Sequence, residues 1–227
     1  MLQKLTITLA ALAALILVWN LHTILLVLPD EINQGAAFRI IYFHVAAVFT
    51  SFCGFFLAMG LAIAYLVKKN LQYDAMSAAV TEVSAVFATV TLITGMFWGR
   101  IIWGIWWAWD PRMISYVVCL LFCWGYLMLR RAVDDPTQRA RLSAVLLIFT
   151  TLDIVIVWKS IEWWRTQHPG PVLSIRNGGG MAPGMEAPIY WNVLALILLA
   201  TSMALVRMRQ ESMQREIDAV RRYAHAM

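Results

Sequence analysis

The chain reads as an all-α membrane protein with six transmembrane helices, both termini in the cytoplasm, and a tryptophan-rich outer loop between spans three and four. Three observations predict this. The residues are 61% hydrophobic and only 14% charged, with a mean hydropathy of +0.70, whereas about a quarter of a soluble domain is charged. The apolar residues fall into six runs long enough to cross, as helices, the roughly 30 Å hydrocarbon layer. The basic residues, which give a formal net charge of +5, sit in short loops between those runs and not on one soluble face, so charge here reports topology and not nucleic-acid binding.

Span one covers residues 5 to 29, with His22 as its one ionisable residue. It is too long for the h-region of a cleaved signal peptide, which usually runs about 7–15 residues. A polar loop with Asp30, Glu31, Asn33, Gln34 and Gly35 ends at Arg39. Span two, residues 40 to 67, carries no formal charge and one histidine, His44, near its start; Lys68 and Lys69 close it. Span three, residues 75 to 98, is apolar apart from Glu82 and runs into the tryptophan stretch. Span four covers residues 113 to 129 and stops at Arg130 and Arg131. Asp134, Asp135 and Pro136 then form a turn that starts the next helix. Span five, residues 142 to 164, is unusual in holding Asp153, Lys159 and Glu162. Lys159 and Glu162, at i,i+3, can pair on one helix face, and the charges are expected to face the bundle interior or a neighbouring subunit. Residues 165 to 187 make the longest loop, irregular and mobile because Pro169, Pro171, Gly178, Gly179, Gly180, Pro183 and Gly184 punctuate it. Span six covers residues 188 to 206, and the tail to residue 227 reads as a charged amphipathic helix or a disordered end.

Six crossings put both termini on one side. That side receives Lys4, Lys68, Lys69, Arg130, Arg131, Arg139, Arg141, Arg207, Arg209, Arg215, Arg221 and Arg222, twelve of the eighteen Lys and Arg residues. The positive-inside rule makes it the cytoplasm. No internal repeat or long linker divides the chain, so residues 1 to 227 are read as one membrane domain with a cytoplasmic tail from residue 206. Cys53, Cys119 and Cys123 all lie in apolar spans without a Cys-x-x-Cys motif, which supports neither a disulfide framework nor a thiol-redox centre.

Trp98, Trp103, Trp106, Trp107 and Trp109 are five of eleven tryptophans, packed into twelve residues that lead into Asp110, Pro111 and Arg112. Gly99, Gly104 and Pro111 interrupt a helical reading, so the stretch is expected as a re-entrant or surface-lying loop. An aromatic belt explains Trp19, Trp124, Trp163, Trp164 and Trp191 at span ends, but not five tryptophans so close together. Topology brings His44, near the outer end of span two, to the same layer as His168, just past the outer end of span five. A flat apolar macrocycle with an iron centre needs axial imidazoles, an aromatic surround and cations for its propionates. Arg39, Arg100, Arg112 and Arg165 are at the right face to supply the last. His22 is read as an interfacial residue, and His225, in the tail, as idle.

The run Trp103-Gly-Ile-Trp106-Trp107-Ala-Trp109-Asp110-Pro-Arg112 resembles the WWD signature of haem-handling membrane proteins. The six-span length, Arg39-Ile-Ile-Tyr42-Phe-His44-Val and Lys159-Ser-Ile-Glu-Trp163-Trp164-Arg-Thr-Gln-His168 are similar to the CcmC family, the haem exporter protein C of cytochrome c maturation. The resemblance spans nearly all of residues 1 to 206. Departures are Ala46 where proline is common, Ile105 where threonine is common, and Pro169 where glutamine often follows the histidine.

The resemblance implies that His44 and His168 ligate the iron of haem b from opposite sides. It implies too that Trp98, Trp103, Trp106, Trp107, Trp109, Asp110, Arg39, Arg100 and Arg112 form the haem-binding surround. It further implies a bacterial inner-membrane protein that presents haem to a periplasmic haem chaperone. The companions it implies are the ATPase and permease subunits of an ABC transporter, a very small single-span membrane subunit and membrane lipid, without nucleic acid. No catalytic turnover of the chain's own is implied. The competing reading is a small transporter or ABC permease subunit for a lipid or quinone-like substrate, the tryptophans serving as a gate. A b-type electron-transfer cytochrome ranks behind both, because it ordinarily wants two ligand pairs deep in the bilayer.

Overall fold

The computed structural model describes residues 2 to 170, 173, 181, 182 and 184 to 225. Of the loop expected over residues 165 to 187, Pro171, Gly178, Gly179, Gly180 and Pro183 lie outside the described residues, as does the side chain of His225. Six helices follow one another: α1 (Leu2–His22), α2 (Ile40–Lys68), α3 (Leu71–Trp103), α4 (Pro111–Ala132), α5 (Pro136–Trp163) and α6 (Ala187–His225). A π-helical turn at Thr23–Val27 extends α1, and a 3-10 turn at Ala36–Arg39 leads into α2. All six are long and apolar enough to cross a membrane, and the chain is a multi-pass membrane protein.

Local chemistry sets the helix ends. Proline at the first helical position and a side-chain acceptor just before it start α4 and α5: Asp110 accepts from Arg112 N–H at 2.9 Å, and Asp135 from Gln138 N–H at 2.6 Å. Each satisfies backbone donors that the first turn leaves free. Asn70 caps α3 through Gln72 N–H at 2.9 Å. Gly104 stops α3 in the left-handed region at φ 77°, a conformation that costs glycine little.

Two expected boundaries shift. The tryptophan stretch is not a loop throughout: Trp98 and Trp103 belong to the last turns of α3, and the loop is confined to residues 104 to 110. Gly99 leaves the helix intact because an interior glycine costs only about 1 kcal/mol, less than α3 recovers through packing. The tail is helical through His225, since α6 continues past its apolar stretch.

Helix α2 is the centre of the bundle. It packs most extensively on α3 and touches α5 and α6, while α4 pairs with α5 and α1 with α6. Phe55, Tyr65, Cys123, Tyr126, Leu147 and Ile154 are buried in the main core between α2 and α5. Large apolar side chains such as Leu57, Leu121 and Phe149 remain outside, as a surface meeting lipid requires. Buried amide contacts tie α1 and α6 to α2: Asn20 donates to Pro188 O and to Asn192 Oδ1, both at 2.8 Å, and Asn192 donates to Tyr42 O at 3.0 Å.

The end of the bundle carrying both termini is held by charge. Asp74, 4% exposed, receives Arg130 at 2.7 and 3.2 Å and Arg215 at 2.8 Å; Glu211 accepts from Arg215 at 3.0 Å. Arg207 meets Glu82 at 2.6 Å. The acids of α3 thus hold the charged extension of α6 against the C-terminal end of α4. Removing one partner of a buried pair leaves an uncompensated charge, at a cost of about 3–5 kcal/mol. Asp74→Ala is therefore expected to lower the thermal unfolding midpoint of the purified protein markedly, and Lys68→Ala, an exposed neighbour, to leave it nearly unchanged.

In span five, Asp153 is buried in the bundle, whereas Lys159 and Glu162 do not face its interior. They form an exposed i,i+3 pair at 2.7 Å near the last turn of α5.

Candidate functional site

The end of the bundle opposite the termini contains an apolar cavity that is partly open to its surroundings. Its walls come from α2, α3, α4, α5 and the segment after α5. His44 and His168 both line it, as do Trp98, Trp103 and Arg112. Residues far apart in the chain meet here because α2 starts, α3 ends, α4 starts and α5 ends at the same height.

Each imidazole is held through Nδ1. His44 sits one turn into α2, with Nδ1 3.0 Å from Thr94 Oγ1 of α3. His168 donates from Nδ1 to its neighbour's carbonyl, Pro169 O, at 2.8 Å. A carbonyl can only accept, so the His168 proton is on Nδ1 and the Nε2 lone pair is free. Burial, with Arg112 close by, holds the His168 pKa down to about 4, so the ring is neutral at physiological pH, the form that ligates a metal. Because an exposed histidine titrates near 6.5, protonation between pH 6.5 and 4 favours states in which this segment has left the cavity. Its seating is fully stable above pH 6.5 and weakens as pH falls towards 4. Diethyl pyrocarbonate modification of His168, corrected for intrinsic imidazole reactivity, is expected to show constant protection from pH 8 to about 6.5 and loss of protection below it.

One carboxylate seats the segment that bears His168. Asp110, 6% exposed, accepts from Thr166 Oγ1 at 2.6 Å and Gln167 N–H at 2.8 Å through Oδ2, and from Arg112 N–H through Oδ1. Thr166 Oγ1 in turn accepts from His168 N–H at 3.0 Å. Asp110 therefore ties the tryptophan loop, the start of α4 and the His168 segment together. It acts on the cavity through these contacts and does not line it.

Among the described residues the Arg112 guanidinium has no hydrogen-bond or ion-pair partner, although it faces an otherwise apolar space. The other arginines are differently placed. Arg39 is engaged with Ile24 O at 2.8 Å, Leu28 O at 3.1 Å and Asp30 at 2.6 Å, bracing the polar loop after span one. Arg100 is exposed and donates to Gly104 O. Arg165 lies in a separate, more polar recess beside Trp109 and Asp110.

The tryptophans divide in the same way. Trp98 is buried, packs edge-to-face on Trp103 at 4.9 Å and donates to Gln34 Oε1 at 2.9 Å. Trp106, Trp107 and Trp109 are outside the cavity lining; Trp106 packs on Phe97, and Trp107 on Trp109, which is 83% exposed. Sequence reasoning missed Trp158, Phe49, Phe52 and Tyr116, which complete the walls. For Trp158 a signal existed: with Ile161 three residues on, it marks one face of the helix that delivers His168. His22 is exposed and away from the cavity lining.

Comparison with known proteins agrees with the family resemblance. The family model described as Heme exporter protein C matches residues 1–223. Heme exporter protein C of Escherichia coli K12 is 35% identical over 182 residues, 80% of this chain and 73% of that protein. The Paracoccus denitrificans protein of that name is 31% identical over 205 residues, 90% of this chain and 83% of its own length. That of Rhodobacter capsulatus is 28% identical over 193 residues, covering 85% and 80%.

Proposed function

The chain belongs to the heme exporter protein C family, and from that premise we propose that it handles haem as cargo, binding it in the apolar cavity between His44 and His168. The observation that carries this reading is the pair of imidazoles facing one apolar space beside Arg112, whose guanidinium has no partner among the described residues. Two imidazoles alone make a poor site for a bare metal ion, and the described residues contain no cluster of three or more His, Cys, Asp or Glu side chains suited to one. A metal that brings its own planar ligands needs only axial partners, which two neutral imidazoles supply.

In this reading His44 and His168 offer Nε2 to the iron, the aromatic walls cover the macrocycle, and Arg112 takes a propionate through charge-assisted hydrogen bonds. The preference for Arg112 over Arg39 and Arg100 rests on the partners that the latter two already hold. The iron supplies the affinity for the imidazoles; the chain supplies position, apolar surroundings and one cation. The cavity lies at the end of the bundle away from the termini, which the positive-inside rule puts in the cytoplasm, so in this reading haem is presented on the periplasmic side of a bacterial inner membrane. There the exposed Trp106 and Trp109 are available to a periplasmic haem chaperone. An ABC transporter and a very small membrane subunit are the companions implied by the family resemblance, and haem b is the implied form of the cargo. The chain has no turnover of its own in this scheme.

The test is an absorption spectrum of the protein purified from membranes of haem-replete cells. A Soret band is expected. A colourless protein that copurifies with a stoichiometric lipid or quinone overturns the haem reading in favour of a small transporter.

A further inference from the structure

The site described above leaves open what orients His44, on a helix free of charged residues across residues 40 to 67. Its ring rests on α3. An added Cβ at Gly95 would sit 3.0 Å from His44 Cε1 and 3.6 Å from Nδ1, so the imidazole packs directly against a stretch of helix that only glycine leaves bare. The neighbouring residue supplies a polar contact: Thr94 Oγ1 lies 3.0 Å from His44 Nδ1.

The direction of that hydrogen bond follows from the other contacts of Thr94. A threonine hydroxyl has one proton. Thr94 Oγ1 lies 2.8 Å from Val90 O, four residues back, and 3.1 Å from Thr91 O, and a carbonyl can only accept. The same back-bond recurs along α3 at Thr81, Thr89 and Thr91, at 2.8, 2.8 and 3.0 Å. With its proton given to the backbone, as at the other threonines of α3, the Thr94 oxygen presents a lone pair to the histidine, an arrangement in which His44 Nδ1 is the donor.

We propose that Thr94 is a positioning residue for His44. It holds the imidazole in the Nδ1–H tautomer, with the Nε2 lone pair turned into the cavity for a metal, while the bare backbone at Gly95 sets the ring's depth. His168 reaches the same tautomer through Pro169 O, so the two rings are matched, one fixed by a neighbouring helix and the other by its own loop. Partners of this kind fix ring orientation and raise ligand basicity, and losing one typically costs about 10–100-fold in metal affinity. The proposal rests on the haem reading for its purpose, but the tautomer is a property of the cargo-free chain.

The test begins without haem. Protein labelled with ¹⁵N in its four histidines and held in lipid nanodiscs gives long-range ¹H–¹⁵N correlations that distinguish the tautomers, with the His44 signals identified by their loss in His44→Gln. The expected result is Nδ1–H at His44 in the wild type and in Thr94→Ser, and a mixture of tautomers in Thr94→Val, which keeps side-chain volume and removes the acceptor. Haem titration is then expected to show about a 10–100-fold weaker affinity for Thr94→Val, restored in Thr94→Ser. An Nε2–H tautomer in the wild type overturns the proposal, as does a Thr94→Val protein with wild-type tautomer and affinity. If the tautomer result holds and the wild type takes up no haem, the cargo reading fails and the positioning role of Thr94 stands.

Discussion

Joint replacement of His44 and His168 by alanine is expected to yield a protein that inserts and folds normally and is purified without a Soret band. Both rings border an open cavity and stand outside the fully buried residues, so the helices of the bundle are expected to hold without them. Binding is affected far more. Each imidazole is offered as a direct ligand, and loss of a mere supporting partner already costs about 10–100-fold; loss of both axial ligands leaves apolar contact and one guanidinium. The single variants separate the two positions. With His168→Ala, His44 remains seated on α3 and a five-coordinate, high-spin spectrum is expected at reduced occupancy. With His44→Ala the surviving ligand is on a segment held by Asp110, and occupancy is expected to fall further. The measurement is haem content per protein by pyridine haemochrome together with the visible spectrum. A double variant that retains wild-type haem content sinks the assignment.

Asp110→Ala is the second large effect, and it is expected to resemble loss of His168 more than loss of a cavity wall. The carboxylate accepts from Thr166 Oγ1, Gln167 N–H and Arg112 N–H at 2.6 to 2.9 Å while almost fully buried. An N-cap alone is worth about 1 kcal/mol, and each hydrogen bond to a charged group about 1.5–3 kcal/mol. These losses are not additive, but together they exceed what a short segment needs to stay seated. The expected outcome is release of residues 165 to 170, seen as faster backbone hydrogen exchange there, with a Soret band shifted as in His168→Ala. Glutamate is expected to rescue poorly, since its extra methylene moves the carboxylate out of register with three donors. A spectrum equal to that of the wild type, with unchanged exchange in the segment, rules out this role for Asp110.

A helix that crosses a bilayer must present a long apolar run, so the six spans are readable from hydropathy, whereas helix ends are not: α5 starts six residues before its apolar run and α6 continues nineteen residues beyond its own, to His225. An even number of crossings puts alternate loops at one height, which is why His44 and His168 could be assigned to one layer although 124 positions separate them. The WWD-type run was legible as a functional feature because no belt or core role accounts for so many indoles so close together. The helical placement of Trp98 and Trp103 was not legible, because Gly99 looks like an interruption until the packing of α3 is known.

The division within the site has one physical cause. Crossing number and layer follow from hydrocarbon thickness, a constraint acting along one dimension, and composition records it directly. Which face of a helix meets the cavity depends on its rotation against its neighbours, and which donor meets which acceptor depends on contacts between positions some 50 to 60 residues apart. So the chain's composition and order already specify a six-span protein with two histidines and a tryptophan cluster at one end. Packing settles that Arg112 and not Arg39 lines the cavity, without a partner among the described residues, that Asp110 seats the His168 segment without lining that space, and that Thr94 stands against His44.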